Sequence, residues 1–224
     1  MALITCTGVS FAYDGNTVLS NLNFSLDSGD YLCITGENGS GKTTLIKGLL
    51  RLKQPANGRI MFGDGLRTNE IGYLPQQTPL QKDFPADVYE IVLSGRAGRR
   101  GWRPFYSAAD KAAADEYINQ LNICDLKHKC YRELSVGQQK RALLARALCA
   151  AGKLLLLDEP AAGLDGAAAQ DFYAQLESIN RQMGITVIMV SHDIHSALKY
   201  ADHILCLNKN QVFFGKTQEW GKEC

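Results

Sequence analysis

Three short stretches carry side chains whose types and spacing suit phosphate chemistry. Residues 36–44 read G-E-N-G-S-G-K-T-T and follow the apolar run YLCIT. This fits the pattern GxxxxGK[ST] set between a strand and a helix. Gly36, Gly39 and Gly41 let the backbone curl so that its N–H groups point at phosphate oxygens. The helix start behind them adds a favourable dipole. Lys42 supplies a full charge for the β- and γ-phosphates, and Thr43 offers a hydroxyl to Mg²⁺. The candidate nucleotide contacts of the loop are therefore Gly36, Asn38, Gly39, Ser40, Gly41, Lys42, Thr43 and Thr44.

The second stretch, KLLLLDEP at 153–160, puts Asp158 at the carboxyl end of a buried strand, where ligands bind in open α/β sheets. A carboxylate there can hold Mg²⁺ through water. Glu159 follows at once, and beside a metal-held triphosphate it could accept a proton from the attacking water. The third, MVSHD at 189–193, ends another buried run and places His192 at the same edge. There its imidazole could sense a γ-phosphate by hydrogen bonding.

These residues need a framework, and the chain supplies signals for one. LITCTGV, VLSNLNFSL and YLCIT read as strands parted by the turns YDGN and DSGD. Residues 41–51 predict a helix; GRIMF and IGYLP predict short strands. Ser107, with Asp110 three residues on, opens a helix over 107–121, and a basic, Ala- and Leu-rich helix runs over 137–151 with Ser135 able to cap it. The remainder alternates: strand KLLLLD, helix 166–182, strand ITVIMV, helix 193–200, strand HILCL, then QVFFG. Continuous apolar runs alternating with helices imply a parallel sheet covered on both faces. The stretch from about 77 to 152 lacks such runs and reads as an inserted helical subdomain. The expected division is a single domain over 1–224, with 1–76 and 153–224 forming the core plus a β-subdomain.

Bulk properties agree. A chain of 224 residues with 46% hydrophobic and 21% charged residues is ordinary globular composition. Its net charge of +1 gives no electrostatic argument for nucleic-acid binding. The seven cysteines are odd in number and form no CxxC pair, which reads as a reducing cytosol with neither a disulfide framework nor a zinc site. The N-terminus has no charged n-region before an apolar stretch, and no window reaches 18 apolar residues, so neither a signal peptide nor a transmembrane helix is expected. A local basic patch, Arg96, Arg99, Arg100 and Arg103, reads either as a solvated loop or as a partner contact near anionic headgroups.

Seven pieces, FAYDG, GENGSGKTT, YLPQQ, LSVGQQKR, LLLLDEP, AGLD and VSHD, stand in one order along essentially the whole chain. In that order the chain resembles the nucleotide-binding subunit of an ATP-binding cassette (ABC) transporter. The resemblance implies a phosphate-loop NTPase fold of ABC type: a mainly parallel sheet core, an N-terminal antiparallel β-subdomain and an inserted helical subdomain. It implies ATP and Mg²⁺ as ligands. It makes Tyr13 the ring that stacks on adenine and Asp165 the residue that communicates between the two sites of a dimer. Gln76, rather than the adjacent Gln77, becomes the glutamine that reaches Mg²⁺ and the attacking water. Two subunits would pack head to tail, and Ser135, Gly137 and Gln138 of one would contact the γ-phosphate held by the other. Catalysis would then rest on Glu159, His192, Gln76 and Lys42, with Thr43, Gln76 and Asp158 around the Mg²⁺.

Where such subunits usually have the first of two glycines, this chain has Val136. A β-branched residue is acceptable there if φ is negative, so a negative φ with the side chain turned from the nucleotide is expected. Residues 81–116 are similar to the corresponding region of ATPases that energise zinc or manganese import, with iron-chelate and vitamin B12 importers next. That implies a homodimer on the cytoplasmic face of the membrane, docked on integral permease subunits and indirectly served by an extracytoplasmic metal-binding protein. A soluble ABC ATPase with no membrane partner is the alternative. Phe84, Val88 and Ile91 are candidates for a groove that receives the permease, or for plain helix packing.

Overall fold

The computed structural model describes residues 2–76, 85–194 and 198–221. Its first two strands, β1 (Ala2–Tyr13) and β2 (Asn16–Asp27), pair antiparallel across a two-residue turn. Asp14 and Gly15 both take positive φ, +48° and +80°. Asp-Gly suits a hairpin turn whose twist matches that of the strands. β3 (Tyr31–Gly36) then enters a second sheet, and α1 (Lys42–Leu49) follows the glycine-rich loop. β4 (Asn57–Phe62) returns to β1, completing a three-stranded antiparallel sheet in the order β2-β1-β4.

β5 (Ile71–Leu74) leads into the helices α2 (Val88–Ser94), α3 (Ala108–Gln120) and α4 (Val136–Ala150). Then come β6 (Leu154–Asp158), α5 (Gly166–Met183), β7 (Thr186–Val190), β8 (His203–Leu207) and β9 (Gln211–Lys216). The second sheet has the order β5-β6-β7-β3-β8-β9; all its pairings are parallel except β8 with β9. The fold is thus α/β, with an antiparallel sheet beside a mainly parallel one. Among the described residues of 85–152 the regular elements are helical, apart from an isolated bridge between Asp87 and Cys130.

Strand alternation divides the core in two. Cys33, Leu155, Leu157, Val187 and Met189 point to the face covered by α5 and the three middle helices. Leu32, Ile34, Leu154, Leu156, Ile188 and Val190 point to the face covered by α1 and the antiparallel sheet. That two-sided burial explains why β6 and β7 read as unbroken apolar runs.

α4 is held tightly at its C-terminal end. A Cβ on Gly72 of β5 would lie 2.3 Å from the Ala147 carbonyl oxygen, and one on Gly95 would lie 2.1 Å from that of Arg146. Only glycine permits those approaches. The orphan carbonyls of this terminus go to arginines. Arg96 donates to the Cys149 oxygen at 3.1 Å, and Arg99 to the Ala150 oxygen through two nitrogens at 3.1 and 2.9 Å. Arg96 also pairs with the buried Asp110 at 3.0 Å. The reading of the whole Arg96–Arg103 run as a solvated or headgroup-facing patch is corrected accordingly: Arg96 and Arg99 are fixings between elements, because helix-end carbonyls and a buried carboxylate compete better for them than water does.

Two further expectations change. Val88 is fully buried in the helical core rather than set in a groove, whereas Phe84 lies outside the described residues. Cys6, Cys33, Cys124, Cys130 and Cys149 carry free thiols, but Cys206 is disulfide-bonded, so a fully reduced set does not hold. The expected helix over 193–200 lies partly outside the described residues. Among those described, no helix is long and apolar enough to cross a membrane.

Candidate functional site

The glycine-rich loop takes the backbone form expected of it. Gly36, Gly39 and Gly41 have φ of +143°, +82° and +101°, values that L side chains rarely adopt. At Gly36 space is decisive as well, since a Cβ would lie 2.1 Å from the Leu207 carbonyl oxygen. Gly41 is the N-cap of α1 and brings no side-chain acceptor, so the first N–H groups of that helix remain open to an anion. Ser40 is buried, and its hydroxyl has no hydrogen-bond partner among the described residues. Lys42 donates its ammonium to the Gly36 and Glu37 carbonyls at 2.7 and 2.8 Å, arching over the loop. Burial lowers its pKa, and the nearby Glu159 and Asp158 work against that.

Opposite the loop stand the ends of β6 and β7. Asp158 is buried and its pKa is raised, first by that burial and then by Glu159, while Lys42 and His192 pull it back. The chain turns sharply at Glu159, whose φ of +49° is unusual for a residue with a side chain. The Glu159 N–H donates to the Val190 oxygen at 3.1 Å, which ties the ends of the two strands together. Its carboxylate bridges two groups. Gln76 donates its amide to one oxygen at 2.8 Å, and His192 Nε2 lies 2.7 Å from the other. Glu159 is therefore aimed by its backbone and by both neighbours.

Asn38, Gly39, Gly41, Lys42, Thr43, Thr44, Gln76, Glu159 and His192 line one cavity of about 530 Å³. Asp158 lies beneath them. Val18 of β2 also lines this cavity, and nothing in the sequence marked it. Tyr13 stands apart at the end of β1, 41% exposed, with the Lys53 ammonium 3.6 Å above its ring. Asp165 is the N-cap of α5 and accepts from the Ala168 N–H at 2.9 Å.

Ser135, Gly137 and Gln138 do not enter the cavity. They form the start of α4, where Ser135 Oγ accepts from the Gln138 N–H at 3.3 Å and Gln138 Oε1 accepts from the Ser135 N–H at 3.0 Å. This reciprocal cap closes the helix end without outside help. Val136 begins the helix with negative φ and is 38% exposed. The expected sign of φ at this departure is what the structure has. Gly137 is different in kind from Gly36 or Gly95: its φ is negative, and a Cβ there would meet only Leu164, at 4.0 Å.

A parallel sheet with a glycine-rich loop after one strand and an Asp-Glu pair ending another defines a nucleotide hydrolase of the phosphate-loop class. The family model described as "ABC transporter" matches residues 19–162. The chain belongs to the ABC transporter family, as a subunit that binds and hydrolyses ATP. It is 36% identical over 218 residues to the zinc transport system ATP-binding protein AdcC of Streptococcus pneumoniae, an alignment covering 94% of this chain and 92% of that one. It is 38% identical over 209 residues to the zinc import ATP-binding protein ZnuC of Jannaschia sp., covering 93% and 80%. Among solved structures, an inward-facing conformation of a metal-chelate type ABC transporter superposes with a TM-score of 0.86 at 30% identity, over 97% of this chain and 84% of that one.

Proposed function

We propose that the chain powers an importer of zinc or a similar divalent metal, and that Glu159 is its catalytic base. The observation carrying the catalytic assignment is the double hold on the Glu159 carboxylate by Gln76 and His192 at the wall of the cavity that Lys42 also lines. In this reading Lys42 and the loop N–H groups neutralise the phosphates, and Glu159 takes the proton of the attacking water. His192 and Gln76 hold the carboxylate in line and report the presence of the γ-phosphate. Tyr13, 41% exposed at the end of β1, would stack on the adenine with the ring face that Lys53 does not cover.

Mg²⁺ fits the residues present. Asp158 is a buried carboxylate whose charge is penalised where it stands, and a divalent cation would relieve that. Thr43 presents a hydroxyl in the same cavity. Mg²⁺ at such a site would be held by one carboxylate, the Thr43 hydroxyl and nucleotide oxygens. When bound, Mg²⁺ would supply charge neutralisation at the phosphates.

A second subunit would complete the site with the start of its α4. The support is Gly137, a glycine that its own protomer does not require. Asp165 would act at the same dimer interface. The permease would dock at the apolar groove of about 440 Å³ between α2 and α4, lined by Ala86, Ile91, Tyr131 and Leu143, in the manner of a helix laid into a groove.

The choice of zinc is supported by the names of the relatives and by the likeness of residues 81–116 to ATPases of zinc or manganese import. The test is ATP hydrolysis by the assembled permease complex, titrated with extracytoplasmic binding protein loaded with Zn²⁺ or Mn²⁺. Stimulation by Zn²⁺ supports the reading. Equal rates with loaded and empty binding protein would remove the metal assignment and leave the ATPase intact.

A further inference from the structure

The segment joining α2 to α3 has a base and a tip that are built differently. Its base is pinned. Arg96 and Arg99 reach Asp110 and the end of α4, as described, and Ser107 donates its hydroxyl to Asp110 at 2.7 Å. Arg103 donates Nε to the Arg100 oxygen at 3.1 Å and reaches Asp110 at 3.4 Å. Asp110, the hub of these contacts, is only 2% exposed, and its pKa is held down at about 2, chiefly by Ser107 and then by Arg96.

The tip, residues 101–105, is exposed at every position. Trp102 is 105% exposed and Phe105 is 82% exposed. Pro104 stiffens the backbone between them. Single exposed apolar residues are normal on a protein surface. Here two of the largest apolar rings stand three residues apart on a base too well fixed to fold over them. Between them Arg103 keeps 52% of its side chain exposed.

The shape argues for the occupant. A projecting pair of rings needs two matched holes in a protein partner, whereas a bilayer surface admits it without any. Tryptophan settles at the level of lipid headgroups, and an arginine beside it gains from anionic ones. We propose that the tip Trp102–Phe105 inserts at the headgroup level of an anionic membrane, giving each subunit a direct lipid contact. This contact is independent of cargo and does not depend on the catalytic reading.

Fluorescence can test it on the full chain. There are two tryptophans. Trp220 packs edge-on against Phe213 at 5.5 Å, so a Trp220→Phe variant leaves Trp102 as the only reporter. That variant is titrated with phosphatidylcholine vesicles, with and without phosphatidylglycerol, carrying brominated acyl chains. The expected result is a blue shift and bromine quenching, with binding about fivefold tighter on the anionic vesicles for the one arginine at the tip. Adding Phe105→Ser should abolish both signals while leaving the melting temperature and detergent-phase ATP hydrolysis unchanged. No spectral change on any vesicle would overturn the proposal. So would a shift seen only with lipid-free permease, or concentration-dependent self-association through Trp102, since each would assign the tip to a protein surface.

Discussion

Gly137→Ala separates the two reasons a glycine can be required. Inside the protomer nothing opposes the change: φ is negative, and the new methyl would meet only Leu164 at 4.0 Å. Alanine is favoured over glycine in a helix by up to about 1 kcal/mol, and less so in the first turn. For a chain of this size 1 kcal/mol moves the melting temperature by roughly 2–4 °C. The variant should therefore melt at the native temperature or up to about 4 °C above it. In the proposed dimer the same methyl stands at the helix tip that must reach the partner's γ-phosphate. A misplacement of the order of 1 Å at a catalytic contact costs about 100-fold, so steady-state ATP hydrolysis in the permease complex should fall by roughly 10- to 100-fold. The assays are differential scanning fluorimetry and phosphate release. Hydrolysis within about twofold of native would refute the composite site. A melting temperature lowered by several degrees would refute the claim that this glycine is unneeded within its own protomer.

Three other outcomes follow from the geometry. Glu159→Gln keeps an oxygen for Gln76 to bond and an amide for His192 while removing the base, so phosphate release should fall by about 10²- to 10⁴-fold with ATP binding retained; equilibrium nucleotide binding checks the second part. Gly95→Ala must push a methyl onto the Arg146 carbonyl, and overpacking against main chain should cost about 3 kcal/mol or more, lowering the melting temperature by roughly 6–12 °C. Gly98→Ala, whose nearest neighbour would be 3.9 Å away, is its matched control. Asp110 has a folded-state pKa depressed to about 2, so its stabilisation is present above the unfolded value near 4 and is lost as pH falls from there through 2. Asp110→Asn should destabilise the protein at pH 7 by about 1.5–3 kcal/mol, the worth of hydrogen bonds to a buried charge. The gap to native should close in melts near pH 2.

The chemical residues were legible because their signals are local. The loop at 36–44 needs only its own glycines and one lysine, and Ser107 with Asp110 spells out its own cap. Burial on both faces left β6 and β7 as unbroken apolar runs, readable before any pairing was known. What the sequence could not show depends on contacts between distant segments. Arg96 and Arg99 look like a charged surface run until the end of α4, some fifty residues later, is seen beside them. α2 has just seven residues, and its apolar side chains Val88, Ile91 and Val92 gave no periodic run long enough to separate groove from core. Val18 reaches the site through sheet packing that no motif encodes. The ring of Tyr13 was expected to meet adenine, and the lysine now above it, Lys53, comes from beyond α1 and carries no signal of its own.

The two parts of the proposed composite site rest on supports of unequal stiffness. Asp158 ends the buried strand β6 and Glu159 follows it, tied to the end of β7 by its hydrogen bond to Val190, while Lys42 opens α1 behind the loop that follows β3. Ser135 and Gly137 stand at the start of α4; its other end is held by the glycine contacts at Arg146 and Ala147, the two arginines, and the Gly152 N–H donating to the Glu70 oxygen at 2.6 Å, and nearer its start the buried Gln139 donates to the Tyr131 oxygen at 3.1 Å. A helix of 15 residues spans about 22 Å. A tilt of about 5° at the fixed end would move the free end by roughly 2 Å, the difference between hydrogen bonding a phosphate and missing it. The reciprocal cap of Ser135 and Gln138 would keep such an end intact through a tilt, because its two hydrogen bonds lie within the helix start. The groove proposed for the permease is lined by this same helix, at Leu143 and Arg146. A push delivered there would act on the helix close to its better-held end, so in the proposed assembly a small displacement at the permease would become a larger one at the nucleotide.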